Sequence, residues 1–175
     1  MLLHARPQLF EFEQHASENL TYIPMCVRFN LDRCGLKLSL SQWQALPYDM
    51  RMRLCCYPLV SETTPAGADP DGPDGFAAAL AACVEAAGGG VLARMAPADE
   101  GWRQIEAVPP AVLRQCELQA IAPPDSAWWR ELSAFQRYVL LKLSRRETRN
   151  HDFQAAWKEF TAPKGADAPN IGDHH

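Results

Sequence analysis

Six cysteines and five histidines are the residues of this chain most capable of chemistry, and their spacing argues against most of it. The cysteines stand at 26, 34, 55, 56, 83 and 116, with no Cys-x-x-Cys pair. If Cys26 and Cys34 share a helix, they are separated by ~12 Å at ~1.5 Å rise per residue. One metal ion with bonds near ~2.3 Å to sulfur cannot take both. Cys55 and Cys56 would project about 100° apart on a helix, a poor geometry for joint redox work. Free, buried structural thiols are the expectation. Of the histidines, only His15 and His151 fall in ordered-looking segments, and neither has an obvious partner in the sequence. Glu11 and Glu13 read as solvated acids near the start. There is no Gly-x-Ser-x-Gly elbow, and Gly88-Gly89-Gly90 follows a helical stretch rather than a strand, so it is not a phosphate loop. No catalytic residue, metal ligand or cofactor is expected, and the chain is not expected to be an enzyme. The enzyme alternative is a thiol-dependent activity using Cys34 or Cys55.

A second group of candidates is basic. Lys142 falls nearly in line with Phe135 on an otherwise apolar helix, followed by Arg145, Arg146 and Arg149. Its stem can cover apolar surface while the amine reaches water, or the amine can meet an anion. The same charges also suit the C-terminal end of a helix, so charge alone does not decide between them.

The elements that would carry these residues are helical and partly repeated. Ser39-Leu-Ser-Gln-Trp43-Gln-Ala-Leu46 runs on to Arg51 and Leu54, and Asp125-Ser-Ala-Trp-Trp129-Arg-Glu-Leu132 runs on to Arg137 and Leu140. In both, a Leu follows the Trp (Trp43 or Trp129) by three residues, an Arg by eight and another Leu by eleven. The two tryptophans read as core anchors of two helical hairpins. Ser39 with Gln42, and Ser133 with Gln136, have capping-box spacing. Pro24 and Gly35 bracket a helix over Met25–Cys34. At 100° per residue, Val27, Leu31 and Cys34 share one face of it, with Cys26 at the edge, while Met25 and Phe29 point to the opposite side. Two apolar faces imply a helix packed between neighbours, or one whose second face meets a partner. Arg28 and Asp32 have the spacing of an i, i+4 ion pair, and Asn30, within the main apolar arc, needs hydrogen-bond partners if buried. Further helices are expected over Met50–Tyr57, Phe76–Ala87, Pro109–Gln119 and Ala134–Arg146, with a last one capped by Asn150. Residues 91–108 are ambiguous, with Trp102, Ile105 and Val108 suggesting partial docking on the core.

The fold class expected is all-α: one domain, a bundle of about seven short helices built around the two hairpins. A flexible N-terminus is expected over 1–9, a helical domain over 10–160 with a disordered acidic insertion near 61–75, and a disordered tail over 161–175. The chain has 175 residues, a formal charge of −4, and 47% hydrophobic and 22% charged residues, ordinary values for a globular protein. Its acidity is concentrated: residues 58–101 hold one basic and seven acidic side chains. A general nucleic-acid binder would carry a basic field instead. The hairpins invite comparison with helix-turn-helix regulators, but their second helices are too apolar to lie in a groove. Neither nucleic acid nor membrane is expected as a partner. The start has no signal-peptide core, no run of ~18 apolar residues occurs, and a cytoplasmic location is expected.

The block Ile23-Pro-Met-Cys-Val-Arg-Phe-Asn-Leu-Asp-Arg-Cys-Gly-Leu-Lys-Leu-Ser-Leu-Ser-Gln-Trp43 resembles the opening signature of the nitrate reductase-associated protein family. Phe10-Glu-Phe-Glu13 fits it as well, as do Phe135-Gln-Arg-Tyr-Val-Leu-Leu-Lys-Leu-Ser-Arg145, Asn150, Phe153, Ala156 and Lys158-Glu-Phe160. The likeness covers roughly residues 10–57 and 125–160, and the segment 61–107 matches poorly. Members are encoded near nitrate reductase and molybdopterin-synthesis genes. The resemblance therefore implies a non-catalytic accessory role in the expression or maturation of active assimilatory, molybdenum-dependent nitrate reductase. The implied partner is nitrate reductase or its molybdenum-cofactor machinery; the family offers no catalytic motif to carry over. The second apolar face of the first long helix nominates Met25, Arg28, Phe29 and Lys37 as partner contacts, with Lys142 and Arg145 meeting an anionic group. The remaining alternative is a helix-turn-helix-like regulator of nitrate assimilation.

Overall fold

The computed structural model describes residues 3, 6–17, 19–59, 75–96 and 101–162. Among them the chain forms nine α-helices: α1 (Glu11–Ser17), α2 (Met25–Cys34), α3 (Leu40–Ala45), α4 (Tyr48–Leu54), α5 (Phe76–Ala86), α6 (Pro110–Gln119), α7 (Ser126–Glu131), α8 (Ala134–Leu143) and α9 (His151–Thr161). The all-α expectation holds, with one small addition. Strands β1 (Leu36–Lys37) and β2 (Ala93–Arg94) pair antiparallel, Leu36 opposite Arg94 and Lys37 opposite Ala93. The expected acidic insertion lies outside the described residues except for Gly75, as does the tail except for Thr161 and Ala162. Of the expected flexible N-terminus, Leu3 and residues 6–9 are described.

Local signals in the sequence set most of the helix ends. Both capping boxes form: the Ser39 and Ser133 side chains each accept the backbone N–H three residues on, and Gln42 and Gln136 close the loop. Asp125 and Asn150 cap α7 and α9. Gly35 ends α2 at φ +60°, a left-handed conformation that glycine adopts without a Cβ clash. A Cβ there would also lie 3.0 Å from the Met95 carbonyl, and the Met95 amide donates to the Gly35 carbonyl at 2.9 Å. Close packing of the two strands therefore depends on the same glycine that stops the helix.

Two apolar cores lie on either side of α2. The first gathers Val27, Leu31, Trp43, Leu46, Leu54, Leu80 and Val84. The second gathers Phe29, Trp102, Trp129, Val139, Leu140, Phe153 and Phe160. α8 packs on α2, α6, α9 and the 3-10 turn Gly101–Arg103. Trp43 and Trp129 are both fully buried, as core anchors should be.

The hairpin repeat has a structural meaning beyond core packing. Trp43 Nε1 donates to the Leu20 carbonyl at 2.7 Å, and Arg51 Nη1 donates to the same oxygen at 2.8 Å. In the second hairpin, Trp129 Nε1 donates to the Gln104 carbonyl and Arg137 Nε to the Trp102 carbonyl, both at 2.8 Å. Arg137 Nη1 also donates to the Leu132 carbonyl. Each Trp and the Arg eight residues later thus clamp a stretch of backbone preceding the hairpin. Such buried carbonyls need donors, because an unsatisfied one costs roughly 1–3 kcal/mol. The clamp also holds Leu20 at φ +48°, where a non-glycine residue is strained by ~1–3 kcal/mol.

Candidate functional site

The residues nominated from the sequence separate into three groups in the structure. Phe29 is not on the surface: it is 0% exposed, its ring 4.6 Å from that of Tyr138, 5.2 Å from that of Trp102 and 5.6 Å from that of Phe135. The second apolar face of α2 is therefore covered by the chain itself, and Phe29 is withdrawn as a partner contact. The two-faced pattern is that of a helix packed between neighbours. Met25 is half-buried against the second core.

Lys142 also finds its partner inside the chain. Its Nζ lies 2.5 Å from Asp32 Oδ2, and the Tyr138 hydroxyl donates to that same oxygen at 2.8 Å. The anionic group expected near Lys142 is thus Asp32, so Lys142 is withdrawn as a meeting point for an external anion. Burial, reinforced by the Asp32 charge, pushes the Tyr138 phenol far above its ordinary range, so it acts as a fixed donor. Arg28 turns away from Asp32: its Nε donates to the Ile23 carbonyl at 2.9 Å. Asn30 is buried and satisfied, its Oδ1 accepting from Arg33 at 3.3 Å and its Nδ2 donating to the Pro58 carbonyl at 3.5 Å.

The third group stays accessible. Lys37 on β1 and Arg145 just beyond α8 are exposed, and Arg28 is half-buried. Arg28 and Met25 line a cleft of about 430 Å³ at the start of α2, together with Phe12, Tyr22, Arg146 and Asp152. Tyr22 is 58% exposed.

Glu13 forms part of the cleft floor, and its position is a correction to the solvated acid expected there. It is buried and accepts the Met25 amide at 2.8 Å and the Phe10 amide at 3.3 Å. Pro24 gives α2 no side-chain cap, so a carboxylate from α1 satisfies the first N–H of the helix. The same device recurs at the next helix end: Glu159 of α9 accepts the amides of Glu11 and Phe12 at 2.9 and 3.0 Å. Burial raises the Glu13 carboxyl above its ordinary value, opposed by the two amide bonds and the Arg28 charge and aided by Glu159. The Glu159 contacts join residues 148 and 147 positions apart, and no local sequence signal marks them.

The cysteines divide by exposure. Cys26, Cys55 and Cys116 are buried, whereas Cys34, Cys56 and Cys83 are half-buried. The neighbouring Cys55 thiol, together with burial, holds the Cys26 thiol well above its usual range. Burial likewise pushes Cys116 up to about 11. Cys55, a candidate for thiol chemistry, is fully buried in the first core. Among the described residues no three His, Cys, Asp or Glu side chains converge as metal ligands, and no helix is long and apolar enough to cross a membrane. His151 is exposed at the first turn of α9; the side chain of His15 lies outside the described residues.

Residues 9–160 match the family described as conserved nitrate reductase-associated protein. No curated protein and no solved structure matches the chain.

Proposed function

Because the chain belongs to the conserved nitrate reductase-associated protein family, we propose that it is a non-catalytic accessory factor for the production of active nitrate reductase. It acts by binding the reductase or by assisting insertion of its molybdenum cofactor, in the cytoplasm. The observation that carries this is the extent of the match, residues 9–160, which takes in both hairpins, both Trp–Arg clamps and the cleft at the start of α2.

The contact surface is formed by Met25 and Arg28 at the cleft, Lys37 on β1, and Arg145 beyond α8. Met25 supplies an adaptable apolar contact, and the guanidinium groups suit carboxylates on a partner. Arg145 has no ion-pair partner among the described residues.

Purified chain immobilised on a sensor surface and exposed to nitrate reductase tests the direct form of this role. Saturable binding that falls at least tenfold in Arg28→Glu and Arg145→Glu is expected. Binding of neither the reductase nor the proteins that load its molybdenum cofactor would contradict it.

A further inference from the structure

The cleft at the start of α2 is lined by two arginines, Arg28 with its side chain steered and Arg146 with its backbone held. Arg28 is steered by its Nε bond to the Ile23 carbonyl. Arg146 is positioned through its backbone: Gln115, fully buried on α6, donates Nε2 to the Arg146 carbonyl at 2.7 Å and to the Thr148 carbonyl at 2.8 Å. Neither arginine has a carboxylate at ion-pair distance among the described residues. The two acids that share the cleft do not fill that role. Glu13 is engaged by the amides of Met25 and Phe10, and Asp152 lies in the first turn of α9, where the helix dipole favours it. Apolar and aromatic wall is supplied by Phe12, Tyr22 and Met25.

We propose that this cleft binds a small organic anion: an oxyanion, carboxylate or phosphate, borne on an aromatic or apolar body. A volume of about 430 Å³ is within the range of small-molecule sites. A guanidinium fork pairs two donors with two oxygens of such a group. Tyr22 and Phe12 offer rings against which the body of the ligand packs, and the half-buried Met25 adapts to its shape. The inference draws on the same Met25 and Arg28 as the proposed contact surface, but it is tested on the purified chain with no reductase present, so its failure and that of the accessory role are read separately.

The test is titration of the full-length, isotope-labelled chain with phenyl phosphate, phenylacetate and inorganic phosphate, followed by amide NMR. Expected are saturable shifts centred on Met25, Arg28 and Arg146 with at least one of the two aromatic anions. Whichever binds more tightly identifies the oxyanion. Arg146→Gln, at an exposed position, should weaken binding at least tenfold while the rest of the spectrum keeps its dispersion. Arg28→Gln should act in the same direction, and Arg114→Gln, on the exposed face of α6, should bind normally. Tyr22→Ala should weaken the aromatic probes more than inorganic phosphate. Absence of saturable shifts with both aromatic anions would overturn the proposal. So would unchanged affinity in Arg146→Gln, or equal binding of neutral benzyl alcohol.

Discussion

Lys142 Nζ and Asp32 Oδ2 lie 2.5 Å apart across the contact between α8 and α2, and the Tyr138 hydroxyl shares that oxygen. Both side chains of the pair are largely withdrawn from water, at 22% and 11% exposure. Removing one partner from such a pair leaves a poorly solvated charge behind. Asp32→Asn should destabilise the fold by ~2 kcal/mol and Lys142→Met by a similar or smaller amount, measured by urea unfolding. The double variant should cost less than the sum of the two, because both changes remove one interaction. Additive losses would show that the pair is not coupled.

Arg137 and Arg51 hold equivalent places in the two hairpins but differ in burial. Arg137 is 1% exposed and donates to the Trp102 and Leu132 carbonyls, whereas Arg51 is half-buried. Replacing Arg137 by Met should cost ~3 kcal/mol, since two buried carbonyls lose their donor, and replacing Arg51 by Met ~1 kcal/mol. Equal losses would mean that the second clamp contributes no more than the first.

Phe29 is the residue where sequence and structure part most clearly. Phe29→Ala should cost ~3–5 kcal/mol, as expected for a buried aromatic side chain. Met25→Ala, at a half-buried position, should cost less than half as much in the same thermal or urea assay. A near-neutral Phe29→Ala would return that residue to the surface.

The reason for this divergence is physical. Capping boxes, the Gly35 stop and the 3.6-residue pattern act within a few residues, so both ends of α2 and α6 and the starts of α3 and α8 are legible, as is the repeat that anchors Trp43 and Trp129, whereas α8 stops at Leu143, short of the expected Arg146. What covers the face of α2 carrying Met25 and Phe29 depends on α8 and Trp102, over seventy residues away, and periodicity cannot distinguish a neighbour in the chain from a partner. Asp32 has the spacing to pair with Arg28, yet tertiary packing presents it to Lys142 and Tyr138. The helix α1 and the cap that Glu13 places on α2 were missed for the same reason. A seven-residue helix with two leading acids carries little local signal, and its stability comes from docking. The two-residue strands are too short for alternation to register. In the sequence Arg146 stands out only as a neighbour of Lys142; its place at the cleft is a matter of tertiary packing, with Gln115 on α6 holding its backbone carbonyl.

Glu13 gives the fold a definite pH dependence. Its folded carboxyl is raised above the ordinary value of 4.5, with burial as the largest cause. Between the ordinary and the raised value the folded state binds more protons than the unfolded one, so stability falls as pH rises through that window. The contribution is fully present below about 4.5, the ordinary value, and is lost as pH climbs through the raised one. Glu13→Gln keeps an oxygen able to accept the Met25 amide and removes the titration. The stability of the parent chain relative to Glu13→Gln should therefore decline from pH 4 to pH 7 in paired urea titrations. A relative gain over that interval would contradict the assignment.

Thiol labelling resolves the two classes of cysteine. Native chain treated with iodoacetamide should be modified at Cys34, Cys56 and Cys83, the half-buried positions. Cys26, Cys55 and Cys116 should react only after unfolding, because burial both shields them and disfavours the thiolate in Cys26 and Cys116. Rapid native modification of Cys55 would revive a thiol-based activity.

The accessory role is tested most directly by nitrate reductase activity and molybdenum content in cells with and without this gene, compared at matched reductase protein. The account predicts loss of activity when the gene is absent. A parallel loss of molybdenum would place the chain at cofactor insertion, and normal molybdenum would place it at a later activation step. Unchanged activity and unchanged molybdenum would contradict the role.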